Sequence, residues 1–238
     1  MTETSRIAGH SLKSWCVIAG VALVVQGLAY ALMVGAGMQV NVAPANSVQY
    51  LDALAAHASA AKFEYLVTAA ADLAFVPAAI ALYLLLKNVS KILVTVATVL
   101  ILAYVVIDMS TFVPAALSLA YLSQSAQTAS VVSSEHAALS VVPLSQFFGW
   151  VEPPVAFAMY ILVLRKANLG RFARIFGIFL VMFSIMGGLG FLFPSSTYLA
   201  NFEVPAFAAY VLFFLGFGEA ILRARGEGGV IQRLARSQ

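Results

Sequence analysis

Apolar residues run along the chain in six long stretches, near 14–38, 63–86, 91–113, 140–164, 172–193 and 203–222. Each holds about 20 residues or more, enough to cross a hydrocarbon core of about 30 Å at a helical rise of about 1.5 Å per residue. The pattern predicts an all-α chain, a polytopic membrane bundle of six transmembrane helices in one domain. The first stretch is longer than the roughly 7–15-residue apolar core of a signal peptide, and it is expected to be a retained helix. The third continues in pattern through "TFVPAALSLAYL" to Leu122, with a kink expected near Pro114.

The segments between these stretches differ in character. Residues 39–62 contain "NSVQYLDALAAHASAA", and 46–60 reads as an interfacial helix capped by Asn46 or Ser47. Its Val48, Leu51, Leu54 and Ala58 share a face suited to the membrane surface. Residues 123–137, "SQSAQTASVVSSEHA", are small and polar. The end of the chain, 224–238, reads as a basic cytoplasmic tail near anionic headgroups.

Charge orients the bundle. Of the 13 lysines and arginines, all but Lys62 lie before helix one, in the turns 87–91 and 165–174, or after helix six. Positive residues stay on the cytoplasmic side, so both termini are expected in the cytoplasm, with the protein in the cell membrane. Trp15 beside Lys13 fits an interfacial anchor. Composition agrees: 62% of residues are hydrophobic and 10% charged, against roughly 25% charged in soluble domains. The basic residues sit in topology clusters, so they do not call for a nucleic-acid partner. The expected partners are the lipid bilayer, a small cation or polar solute, and a membrane partner subunit. The single cysteine, Cys16, excludes an intrachain disulfide and a thiolate metal cluster.

Internal similarity is loose. "FVPAAIALY" (75–83) recurs as "FVPAALSLAY" (112–121), and "PVAFAMY" as "PAFAAY". The three helices expected to run inward share an order of acid, proline and tyrosine: Asp72, Pro77, Tyr83; Glu152, Pro154, Tyr160; Glu203, Pro205, Tyr210. A repeat of helical hairpins, as in many transporters, would produce this. The stretch "FEYLVTAAADLAFVPAAIALYLLLKNVSK" resembles bacterial and archaeal multi-pass membrane proteins classed only as a domain of unknown function. In those an aspartate-bearing apolar helix also ends in an "LY…L…K/R" turn. The likeness covers helices two and three, about a quarter of the chain. It implies a six-helix bundle and brings no catalytic residues.

The acids inside apolar stretches carry the candidate chemistry. Counted from the cytoplasmic basic residues, Glu152 and Asp72 lie about 20 and 22 Å up, Asp108 about 26 Å and Glu203 about 30 Å, with Glu64 at the outer surface. A charged side chain at the bilayer centre costs at least about 2.5 kcal/mol on insertion scales, so such groups face the bundle interior or a wet cavity. Glu64, Thr68 and Asp72 are spaced by four and form a stripe on helix two; Tyr104, Asp108 and Thr111 do so on helix three. These residues, with Glu152 and Glu203, are expected to line an outward-facing acidic cavity for a cation, a proton or a small polar solute. Pro77 frees a carbonyl one residue from Asp72. The sequence "WVEPP" predicts a break in helix four at Glu152, which would then share the cavity floor with Asp72. Glu219 and Arg223 read as a surface pair at i,i+4.

The same acids could instead serve structure. A protonated aspartate bonded to a neighbouring tyrosine joins helices, and Glu152 could cap a broken one. His10, His57 and His136 all fall outside the apolar stretches, so neither a haem nor another cofactor is called for, and no metal site is assigned. Asp72 and Asp108 lack the "GxGD" context of an intramembrane aspartyl protease. No phosphate-binding glycine loop, G-x-S-x-G or H-E-x-x-H appears. No catalytic residue is assigned. Two functions follow: a small transporter or solute-binding membrane protein, and a non-catalytic accessory, sensor or assembly subunit of a membrane complex.

Overall fold

In the computed structural model, residues 3–37, 55–110, 113–114, 117–118, 149–166, 168–193 and 202–226 are described. Among them there are long helices and no strand: α1 (Glu3–Gly37), α2 (Ala58–Leu86), α3 (Lys91–Ser110), α4 (149–166), α5 (Arg171–Leu192) and α6 (Glu203–Gly226). Five of them, all but α4, are long and apolar enough to cross a membrane. Their outward faces support that reading. Ile92 is 78% exposed, Val106 67% and Ile178 61%. Large apolar side chains left open in such numbers suit acyl chains rather than water.

The boundaries follow local sequence. Strong helix formers in "ASAAK" let α2 begin at Ala58, so residues 58–60, expected at the end of an interfacial helix, form its first turn. The rest of that segment from 46 to 54, the 123–137 loop, the continuation to Leu122 and the tail beyond 226 lie outside the described residues. A short turn joins α2 to α3. There the Val89 amide donates to the Leu86 carbonyl at 2.9 Å and the Val94 amide to that of Ser90 at 3.0 Å. Between α4 and α5, Asn168 and Gly170 take left-handed geometry with φ near 55° and 57°. The Leu169 amide there reaches back to the Leu164 carbonyl at 2.9 Å and closes the end of α4. A Cβ on Gly170 would come within 3.1 Å of the Ala220 side chain, so this turn sits directly on α6.

Helix α4 runs without interruption through Pro153 and Pro154. The break expected at Glu152 is therefore not there. Proline's fixed φ is itself helical, so the helix carries both at the cost of two amide donors, to the carbonyls of residues 149 and 150.

Helix α1 packs against α2 and α6, α2 against α3, and α5 against α6. α4 lies among them. Its Phe157 ring is 5.8 Å from Phe75 of α2 and 5.1 Å from Phe214 of α6. Its Tyr160 hydroxyl is 3.1 Å from the Thr98 hydroxyl of α3, and its Ile161 fills the space beside Gly177 of α5. The largest fully buried side chains include Phe75, Tyr160, Phe213, Phe214 and Phe217. The bundle centre is thus largely aromatic.

Two glycines bring α1 and α6 together. A Cβ on Gly20 would lie 3.0 Å from the Gly218 carbonyl oxygen, and one on Gly218 would lie 2.8 Å from that of Gly20. The backbones touch at this level. Such contact favours Cα–H···O bonds and dense packing where no hydrophobic force joins helices. Further close approaches among the described residues fall at Gly27, Gly177 and Gly216.

Candidate functional site

The site is built on α2. Along one face, at helical spacing of four, stand Glu64, Thr68 and Asp72. Glu64 is half-buried. The Thr68 hydroxyl donates to the Glu64 carbonyl at 2.9 Å and lies 3.3 Å from the Met33 sulfur of α1. One turn further, Asp72 is 0% exposed.

Asp72 meets α3 at two residues one turn apart. The Tyr104 hydroxyl donates to Asp72 Oδ1 at 3.1 Å. The Asp108 carboxyl, 9% exposed, lies within hydrogen-bond reach of the Asp72 carboxyl. Spacing of four on α3 is what lets both residues face the same point on α2. Among the described residues, no lysine, arginine or histidine acts on either carboxyl. Asp72 Oδ2 and Asp108 Oδ2 are buried with no hydrogen-bond donor.

α1 closes the other side. The Tyr30 side chain is hydrogen-bonded to Tyr104 and lies within electrostatic range of both carboxyls. Its ring stacks on Tyr210 of α6 at 5.0 Å. Ser184 of α5, a fully buried residue, lies beside Tyr210 with its Oγ unmatched. One turn before Tyr30 comes Gln26, also fully buried. Its Nε2 donates to the Ala71 carbonyl at 3.3 Å, and its Oε1 has no donor. The polar groups thus form a belt across α1, α2, α3, α5 and α6. Beneath Asp72, in the direction of Lys87, the next turn presents Phe75, whose ring meets Tyr104, Phe157 and Phe214 at 5.9, 5.8 and 5.6 Å.

Of the residues singled out in the sequence, Thr68, Asp72, Tyr104 and Asp108 come together here, with Glu64 at the rim. Glu152 stands apart. It is half-buried in the first described turn of α4, and it is not among the groups that act on Asp72. A shared depth fixes only the height along the membrane normal. α4 turns Phe157 rather than Glu152 toward α2. Glu203 opens α6, and its side chain lies outside the described residues. Glu219 and Arg223 form an exposed ion pair at i,i+4. Gln26, Tyr30, Ser184 and Tyr210 were not anticipated as members of the site. Gln26 and Tyr30 carried a legible signal: between Cys16 and Met33 they are polar residues spaced by four, the same rule that marked α2 and α3. Ser184 gave no comparable signal.

The chemistry open to this arrangement is narrow. Two carboxyls face each other, phenol hydroxyls supply donors on one side only, and acceptors remain unmatched. Such a pair is stabilised by a proton between the carboxyls or by a cation beside them. Among the described residues, no group of three or more histidines, cysteines or acids could hold a metal ion. Comparisons with family models, curated protein sequences and solved structures found no match.

Proposed function

We propose that this is an integral membrane protein with six membrane-crossing helices and both termini in the cytoplasm, and that it binds a small positively charged solute or a proton at the Asp72–Asp108 pair. It is best read as a small transporter or solute-binding membrane protein of the cell membrane. The observation that carries this reading is a buried pair of carboxyls with unmatched oxygens and no basic side chain acting on it. Groups of this kind are expensive inside a membrane, and they mark ion and proton sites more often than passive packing. The 12 basic residues clustered before α1, at the α2–α3 and α4–α5 turns, and after α6 support the orientation. With that orientation Glu64 and Thr68 lie between the pair and the outer face, and the aromatic cluster around Phe75 lies between the pair and the cytoplasm.

Thermal-shift measurements on the purified full-length protein test this reading. Titration with monovalent and divalent cations, organic amines and pH is expected to raise the melting temperature of the wild type for at least one of these variables. The rise should be lost in Asp72→Asn and in Asp108→Asn but kept in Glu152→Gln. A melting temperature indifferent to every cation, amine and pH value would contradict it, and would leave the pair as a bond between helices in a non-catalytic accessory subunit.

A further inference from the structure

We infer that the ligand of the Asp72–Asp108 pair is a proton, shared between the two carboxyls. This rests on the reading above and narrows it from a class of solutes to one.

The surroundings of the pair first select a positive ligand. Tyr104 has committed its hydroxyl to Asp72 Oδ1. Tyr30 is bonded to Tyr104. Gln26 has committed its amide to the Ala71 carbonyl, one residue from Asp72, which leaves its carbonyl oxygen buried and without a donor. The donors that touch the pair or its turn are therefore engaged, while the Oδ2 atoms of Asp72 and Asp108 and the Oε1 of Gln26 remain unmatched acceptors; the unmatched Ser184 hydroxyl lies beside Tyr210. Ionised carboxylates cannot donate to each other. The titratable groups that face Asp72 are Asp108 and Tyr104 from α3 and Tyr30 from α1, with Tyr210 from α6 also in electrostatic range; Glu152 of α4 is not among them. None of them supplies a positive charge.

Ligand number then selects the proton over a metal ion. Magnesium takes about six oxygens and calcium about six to eight. The described residues offer the two aspartates and no third acid, histidine or cysteine beside them. One proton needs no more than the pair. It comes from water and forms one O–H bond on either carboxyl. That carboxyl then donates to the other, so a single bond joins the pair and removes one of two like charges.

Infrared difference spectroscopy of the full-length protein in lipid vesicles, between acid and alkaline pH, tests this. The expected result is a carboxylic-acid carbonyl band in the acid spectrum that disappears on alkalinisation. Asp72→Asn and Asp108→Asn should each remove the component of that band that belongs to the pair, leaving the bands of the other carboxyls, and sodium, potassium or calcium chloride should not alter it. Tyr104→Phe keeps the ring and the packing, and it should move the midpoint of the transition. It serves as the control where an asparagine variant fails to fold. If sodium, potassium or calcium shifts the wild-type spectrum or melting temperature and Asp72→Asn removes that shift, the carboxyl pair is a site but the proton is not its ligand. If the acid band titrates unchanged in Asp72→Asn, Asp108→Asn and Tyr104→Phe, the proton is elsewhere and this inference is overturned. If in addition no cation or amine acts on the wild type, the solute-binding reading falls with it.

Discussion

Helix α1 meets its two main neighbours in opposite ways. Toward α6 it presents Gly20, Val24 and Gly27, and the backbones touch with only apolar side chains filling the notches. Toward α2 it presents Gln26 and Met33. That seam has a glutamine–carbonyl bond and a hydroxyl–sulfur contact, while Tyr30 beside them stacks on Tyr210 and Phe214 of α6 and meets Tyr104 of α3. Both seams are buried, and both lie in the apolar part of α1 between Cys16 and Met33. Glycine notches suffice to hold two helices together in lipid. On the proposed reading, the α1–α2 seam carries its polar residues for the carboxyl pair beside it.

The apolar seam should be the more fragile to added bulk. Gly218→Val would drive a Cβ to 2.7 Å from the Val24 side chain and 2.8 Å from the Gly20 carbonyl oxygen. Backbone cannot yield as a flexible side chain does. A loss of about 1–3 kcal/mol is expected from overpacking, read as a lower melting temperature with unchanged pH dependence. A stable Gly218→Val protein would mean that α1 and α6 do not touch at that level.

The polar seam should respond less in stability and more in behaviour. Gln26→Leu removes one bond to the Ala71 carbonyl and one unmatched oxygen together, so the two effects offset. Interhelical hydrogen bonds in membranes average about 0.6 kcal/mol, and the change in stability is expected to stay below about 1 kcal/mol. The ligand response of the carboxyl pair should nevertheless weaken, because Gln26 lies against the turn that bears Asp72. A Gln26→Leu protein with the wild-type response would reduce the polar seam to adhesion, no different in kind from the glycine seam.

Much of this was legible in the sequence, for a physical reason. A chain in lipid must satisfy its backbone within each segment, so long apolar stretches dictate helices. The four-residue spacing of Thr68 with Asp72 and of Tyr104 with Asp108 places each pair on one face. What linear spacing cannot supply is azimuth, the direction in which one helix turns toward another. Asp72 and Glu152 share a counted depth, yet α4 turns Phe157 toward α2. Gln26 and Tyr30 obey the same spacing rule as the other stripes, but neither is ionisable, and attention to acids passed over them. Ser184 is a single small hydroxyl in an apolar helix, and only the neighbouring Tyr210 gives it meaning. The prolines of α4 did not break it, because proline's fixed φ is itself helical.

The most direct test of the central claim is the pH dependence of the melting temperature in four proteins: wild type, Asp72→Asn, Asp108→Asn and the double variant. A proton shared by two carboxyls belongs to the pair and not to either residue. Each single variant should therefore lose as much of the wild-type pH dependence as the double variant does, which is the non-additivity expected of groups in direct contact. Independent, additive losses from the two single variants, or a pH dependence that survives in the double variant, would contradict the account.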